Sequence, residues 1–136
     1  MPTIVIEVRH RELPAPKNPD QDFEWLCRSL GLIGLRDTEM TSAKVFKAIV
    51  MATKRYGGIS IPELVDVLGL SRTTIVHHLA EIWNTGLLGK DGMRFKLRRP
   101  NLTETIEEIE KDLARIFEQI HKVARDVDEQ IGLPHR

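Results

Sequence analysis

The spacing of apolar residues changes several times along the 136-residue chain, and each change predicts an element. Thr3 to Arg9 alternates, with Ile4, Ile6 and Val8 on one side and Val5, Glu7 and Arg9 on the other, which predicts a half-buried strand. Three prolines between Leu13 and Pro19 predict an extended linker. Asp22 is positioned to cap a short helix in which Phe23, Leu26, Cys27 and Leu30 follow i, i+3, i+4, i+7, and Gly31 and Gly34 end it. A second helix is expected to begin between Asp37 and Thr41 and to run to Tyr56. Val45, Phe46, Ile49 and either Met51 or Ala52 form its inner stripe, Lys44, Lys47, Lys54 and Arg55 lie mostly outside, and Gly57-Gly58 stop it.

From Ser60 to Arg99 the punctuation is denser. Ser60 caps a helix with Pro62 in its first turn, where the missing N–H costs nothing, and Glu63 three residues on completes a capping box. Leu64, Val65, Val67 and Leu68 are expected to pack inward. Gly69 supplies a turn, Ser71 caps the next helix, and Gly86 terminates it. In that helix Ile75, Leu79 and Ile82 have the spacing of a buried stripe flanked by Trp83, which leaves Arg72, Thr73, Thr74, Val76, His77, Ala80 and Glu81 outward or lateral. Leu87 to Lys90 and Met93 to Arg98 then flank Asp91-Gly92, a pair favoured in two-residue type I′ hairpin turns. In the second strand Met93, Phe95 and Leu97 share one face, and Arg94, Lys96 and Arg98 share the other.

After Pro100, Asn101 and Glu104 form a capping-box-like pair. Leu102, Ile106, Ile109, Leu113, Ile116, Ile120, Val123 and Val127 follow at alternating spacings of 4 and 3, a heptad seam. Glu107–Lys111 and Glu118–Lys122 are i, i+4 pairs in the favourable orientation. A lone helix cannot leave such a seam in water, so these eight residues are expected to dimerise. Asp112 would face Phe117 and Gln119 would face Ala124 in a parallel zipper, giving no ion pairs. An antiparallel pair, or packing with Phe23, Leu26 and Leu30, fits better. The expected architecture is mainly α with a small β-hairpin wing: residues 1–36 as strand, linker and short helix, 37–99 as a winged helix-turn-helix, and 100–136 as a coiled-coil-like dimerisation helix.

Charge adds a polarity that the zero net charge hides. Residues 37–99 hold ten Lys/Arg against six Asp/Glu, and residues 100–136 hold five against nine. The middle surplus is too small for indiscriminate coating of DNA and suits a selective binder. No apolar run is long enough to span a membrane, and the N-terminus lacks the pattern of a secretory signal. Cys27 is the single cysteine, so no intrachain disulfide is possible and a reducing, cytoplasmic setting is expected. Its neighbours place it on an apolar helix face as a core thiol. Adjacent histidines do not face one another on a helix, so His77 and His78 are not expected to bind metal. His78 lies on the side of Ile75 and Leu79, as a packed, hydrogen-bonded residue. No phosphate loop, nucleophile–base pair or pocket-like carboxylate pair is present, and Glu107, Glu108 and Glu110 read as a solvated helix face. Neither enzymatic activity nor a cofactor is expected, and no feature specifies a small-molecule effector.

Two helices, a tight turn and a basic hairpin form a shape suited to double-stranded DNA. The helix opened by Ser71 would enter the major groove. There Arg72 can reach a guanine edge or a phosphate, Thr73 and Thr74 can hydrogen-bond, Val76 can meet a thymine methyl, and His77 can donate to a base acceptor. Lys90, Arg94, Lys96, Arg98 and Arg99 would fix position on the backbone. SRTTIVHHLAEIWNTGLL followed by the Asp-Gly hairpin resembles the ArsR-like winged-helix regulators, over roughly Thr38 to Arg99, and most of all archaeal members with a long C-terminal helix. The resemblance implies a homodimeric transcription factor whose helix from Ser71 to Thr85 reads DNA. The chain lacks the cysteine pair of the metal-sensing branch. The alternative is a winged-helix module that docks on the transcription machinery through its acidic helix.

Overall fold

The structure, a computed structural model, describes Leu13, residues 18–32 and residues 40–134. The expected strand from Thr3 to Arg9, most of the proline linker, Gly34 and the earliest expected start of the second helix lie outside these residues. The described chain is mainly helical, with helices α1 (Pro19–Ser29), α2 (Thr41–Tyr56), α3 (Ile61–Leu68), α4 (Arg72–Asn84) and α5 (Leu102–Ile131). An antiparallel hairpin, β1 (Leu88–Asp91) and β2 (Arg94–Leu97), lies between α4 and α5. Among the described residues no helix is long and apolar enough to cross a membrane.

Helix α1 starts one turn earlier than Asp22 implies. Asn18 is its cap, accepting from the Asp20 and Gln21 amides at 3.1 and 3.4 Å, with Pro19 following where no amide donor is needed. Phe23 stacks on Phe46 of α2 with ring centroids 5.7 Å apart, and Cys27 is fully buried beside them. Along α2, Val45, Phe46, Ile49 and Ala52 face the core; Met51, the other candidate for the fourth place, is exposed. Helix α3 opens with the expected capping box, in which Ser60 Oγ accepts from the Glu63 amide and Glu63 Oε1 accepts from the Ser60 amide. The Ser60 hydroxyl also donates to Glu63 Oε1 at 2.8 Å, and this bond first and the Ser60 amide second hold the Glu63 carboxyl below its usual range. Its inner face is narrower than expected. Leu64 is buried and Val65 and Leu68 are half-buried, but Val67 is 68% exposed, because eight residues present only two turns to α2 and α4.

Ile75, Leu79 and Ile82 of α4 complete a single core with Leu87, Leu88, Leu97 and Ile109. The hairpin register differs from the expected one. Leu88 pairs with Leu97 and Asp91 with Arg94, so the two-residue loop is Gly92-Met93. Gly92 has φ 59 and Met93 is not left-handed, the pattern of a type II′ turn rather than I′. Burial of Leu88 opposite Leu97 fixes this register, and it is reinforced outside the hairpin. Ile59 and Phe95 exchange backbone hydrogen bonds, both 2.8 Å, and Gly58 admits this approach: a Cβ there would stand 2.8 Å from the Phe95 carbonyl oxygen.

Helix α5 is capped by Asn101, whose Oδ1 accepts from the Glu104 amide at 2.8 Å. Its seam divides. Ile109 is buried with Thr105, Leu102 and Leu113 are half-buried against their own domain, and Ile106 is half-buried, while every residue from Ala114 to Val127 is exposed. At about 1.5 Å per residue the helix outruns the small core beneath its first turns. Lys111 pairs with Glu108 at 3.6 Å and not with Glu107, and Glu118 and Lys122 form no ion pair among the described residues.

Candidate nucleic-acid interface

Helices α3 and α4 are joined by three residues in which Gly69 takes φ 65, a conformation that spares a side chain its steric cost. Ser71 Oγ then accepts from the Thr74 amide at 3.1 Å and donates to Thr74 Oγ1 at 2.9 Å. Thr74 is half-buried and its Oγ1 accepts from the cap while keeping its own proton to donate, so Arg72 and Thr73 are the exposed residues of the first turn. The first-turn amides also make this end of α4 electropositive.

The adjacent histidines have different surroundings. His78 is 16% exposed, with its Nδ1 2.6 Å from Ser42 Oγ at the start of α2. It acts as the packed, hydrogen-bonded residue that its place in the helix implies, tying α4 to α2. His77 is 69% exposed, with Nε2 3.2 Å from Glu81 Oε1. The Glu81 carboxylate also lies 3.6 Å from His78 Nδ1 and 3.3 Å from Ser42 Oγ. Among the described residues no group of three His, Cys, Asp or Glu side chains is arranged to hold a metal ion.

The cations of the hairpin occupy three environments. Lys90 sits 5.2 Å over the Phe95 ring, on the strand face that meets α4. Arg94 and Lys96 lie on the opposite face. Arg94 is exposed and donates to the Tyr56 carbonyl at 3.0 Å, and Lys96 is half-buried. Arg98 departs from the expectation of a free basic residue: its Nη1 lies 2.6 Å from Asp112 Oδ2 on α5, with Glu108 at 3.9 Å. A guanidinium so paired is neutralised locally and half-buried, and it serves to fix the base of the hairpin to α5. The Arg99 amide adds to that attachment by donating to the buried Thr105 hydroxyl at 3.1 Å. The Arg99 residue itself is exposed.

Sequence reasoning did not anticipate a second apolar stripe on α4. Val76 is 43% exposed and Trp83 42%, and with Ala80 they recur at i, i+4, i+7. Trp83 meets Phe95 edge-on at 6.2 Å, closing one side of a shallow groove of about 230 Å³ between α4 and the hairpin. The spacing of Val76, Ala80 and Trp83 carries the signal, but only the fold shows that this stripe is not covered. The pairing of Arg98 with Asp112 was equally out of reach, because Asp112 is fourteen residues away and meets it only once α5 has turned back. No protein-family model, curated protein or solved structure gives a significant match to the chain.

Proposed function

We propose that the chain is a sequence-selective regulator of transcription that binds double-stranded DNA as a homodimer in a cytoplasmic setting, a winged helix-turn-helix of the ArsR-like kind. The observation that carries this reading is the placement of α4. Its electropositive first turn, with exposed Arg72 and Thr73 and with His77 one turn on, follows a three-residue turn from α3, and the far end of the helix meets, through Trp83 and Phe95, a hairpin bearing Lys90, Arg94 and Lys96. In this reading α4 enters the major groove and the hairpin lies on the backbone. The distal half of α5, from Ile116 to Val127, is the dimerisation element, and two half-sites lie about one helical turn apart or a multiple of it.

A second reading rests on the stripe of Val76, Ala80 and Trp83. Exposed aromatic and aliphatic side chains on the outer face of α4 favour a protein partner over phosphate, as in an interaction module of the transcription machinery. One experiment separates the two. A duplex selected from a random library and a scrambled control are titrated by fluorescence anisotropy between about 50 and 200 mM salt. Selective, salt-dependent binding with dimer stoichiometry supports the regulator. Equal, weak binding to both duplexes that collapses with salt removes it in favour of the interaction module.

A further inference from the structure

Two uncovered surfaces on this chain complement one another. The first is a groove of about 510 Å³ between α2 and α3, with Ala48, Met51 and Val67 among its lining and Lys44, Lys47 and Arg55 on its rim. Lys47 pairs with Asp20 at 3.1 Å, whereas Lys44 and Arg55 have no carboxylate partner among the described residues. Met51 and Val67 are exposed although they stand on elements whose other faces build the core. The second surface is the distal half of α5, where Ile120, Val123, Val127 and Ile131 form one exposed apolar stripe. From Asp126 to Ile131 that stretch carries three carboxylates and no cation.

We propose that the distal half of α5 of one copy seats in the α2–α3 groove of a second copy, with Val127 against Met51 and the Asp126 carboxylate at Arg55 on the rim. The inference rests on the homodimer reading above and names the surface that α5 meets. Charge decides between this surface and a second α5. The positions flanking the stripe are Gln119 and Asp126 on one side and Phe117 and Ala124 on the other. Two α5 helices laid together therefore bring no cation to Asp126, and the groove brings Arg55, one turn from Met51. A two-fold axis makes the exchange reciprocal, so each copy gives one helix and receives one. The geometry is that of an amphipathic helix in an apolar groove, with charge on the rim setting its register.

Single-cysteine cross-linking tests it on the full chain. Met51→Cys and Val127→Cys are made separately, both at exposed positions, while the native Cys27 is fully buried. The two chains, tagged to differ in mass, are mixed under mild oxidant. The expected product is the mixed disulfide, in excess over either self-linked dimer. Self-linking of Val127→Cys as the dominant product would place α5 against α5 and overturn the inference while leaving the homodimer intact. A chain that sediments as a monomer up to about 100 μM, far above the micromolar constants of ordinary complexes, overturns both. In parallel, Arg55→Glu is expected to raise the dimer dissociation constant roughly three- to tenfold, and adding Asp126→Lys to restore it. A constant unmoved by Arg55→Glu, or not restored by the second change, removes the groove from the interface. Anisotropy on the same chains reports DNA selectivity separately.

Discussion

The three environments of the hairpin cations lead to a sharp prediction about salt. Each Lys or Arg that neutralises a phosphate on duplex DNA contributes about −0.9 to the slope of log K against log salt. Arg94 is exposed, with one of its five N–H donors on the Tyr56 carbonyl, and Lys96 adjoins it on the same strand face. Replacing both with Ala should flatten the slope by up to about 1.8 and leave thermal stability nearly unchanged. Arg98→Ala should do the reverse. Its guanidinium is 30% exposed and its partner Asp112 only 12%, between an exposed pair worth at most about 1 kcal/mol and a buried one whose breaking costs about 3–5. Arg115 remains on Asp112 at 3.2 Å after the substitution, which puts the loss near the lower limit, about 1–2 kcal/mol. For a chain of this size that is a fall in Tm of roughly 3–8 °C. The assays are anisotropy titrations at four salt concentrations and calorimetric melts of the same preparations. If Arg98→Ala flattens the slope as much as the double substitution while Tm holds, Arg98 leaves Asp112 for the DNA, and the assignment of Arg98 as an anchor between hairpin and α5 is wrong.

Further outcomes follow from contacts in the core. Gly58→Ala places a Cβ 2.8 Å from the Phe95 carbonyl oxygen and 3.1 Å from Arg94 Cβ, at φ 138. It should cost about 1–3 kcal/mol, read as a lower urea midpoint, with loss of the slow amide exchange of Ile59 and Phe95; retained protection of those amides would refute the close approach. The Cys27 thiol is pushed up to about 12, by burial first and by the nearby Glu24 carboxylate second. An unfolded thiol ionises near 8.5, so raising the pH above that value ionises the unfolded chain first and lowers stability. In the folded protein at pH 8, Cys27 should react with an aromatic disulfide reagent only as fast as the chain opens. Labelling at the rate of a free thiol would show that α1 does not hold Cys27 against the core.

What the sequence determines by itself is local. Caps at Ser60, Ser71 and Asn101, the left-handed glycines at 57, 69 and 86, and the stripe of Ile75, Leu79 and Ile82 are satisfied within a few residues of chain, so their chemistry could be read before any fold was known. The heptad period of α5 and the burial of Cys27 are legible for the same reason. What only the tertiary structure decides are choices between partners equally good in sequence. Whether Met51 or Ala52 completes the inner stripe of α2 depends on which side of the helix the core covers, and it covers Ala52. The register of the hairpin depends on Leu88 meeting Leu97 and on the Ile59 bridge from outside it. Arg98 alternates with Arg94 and Lys96 as an outward cation, yet α5 returns to the base of the hairpin and supplies Asp112. The eight seam residues are alike along the helix, but the core beneath them is short, so the first half is covered by its own domain and the second is left in water. Period is written residue by residue, whereas a partner distant in sequence is selected only when packing brings it within a few ångströms.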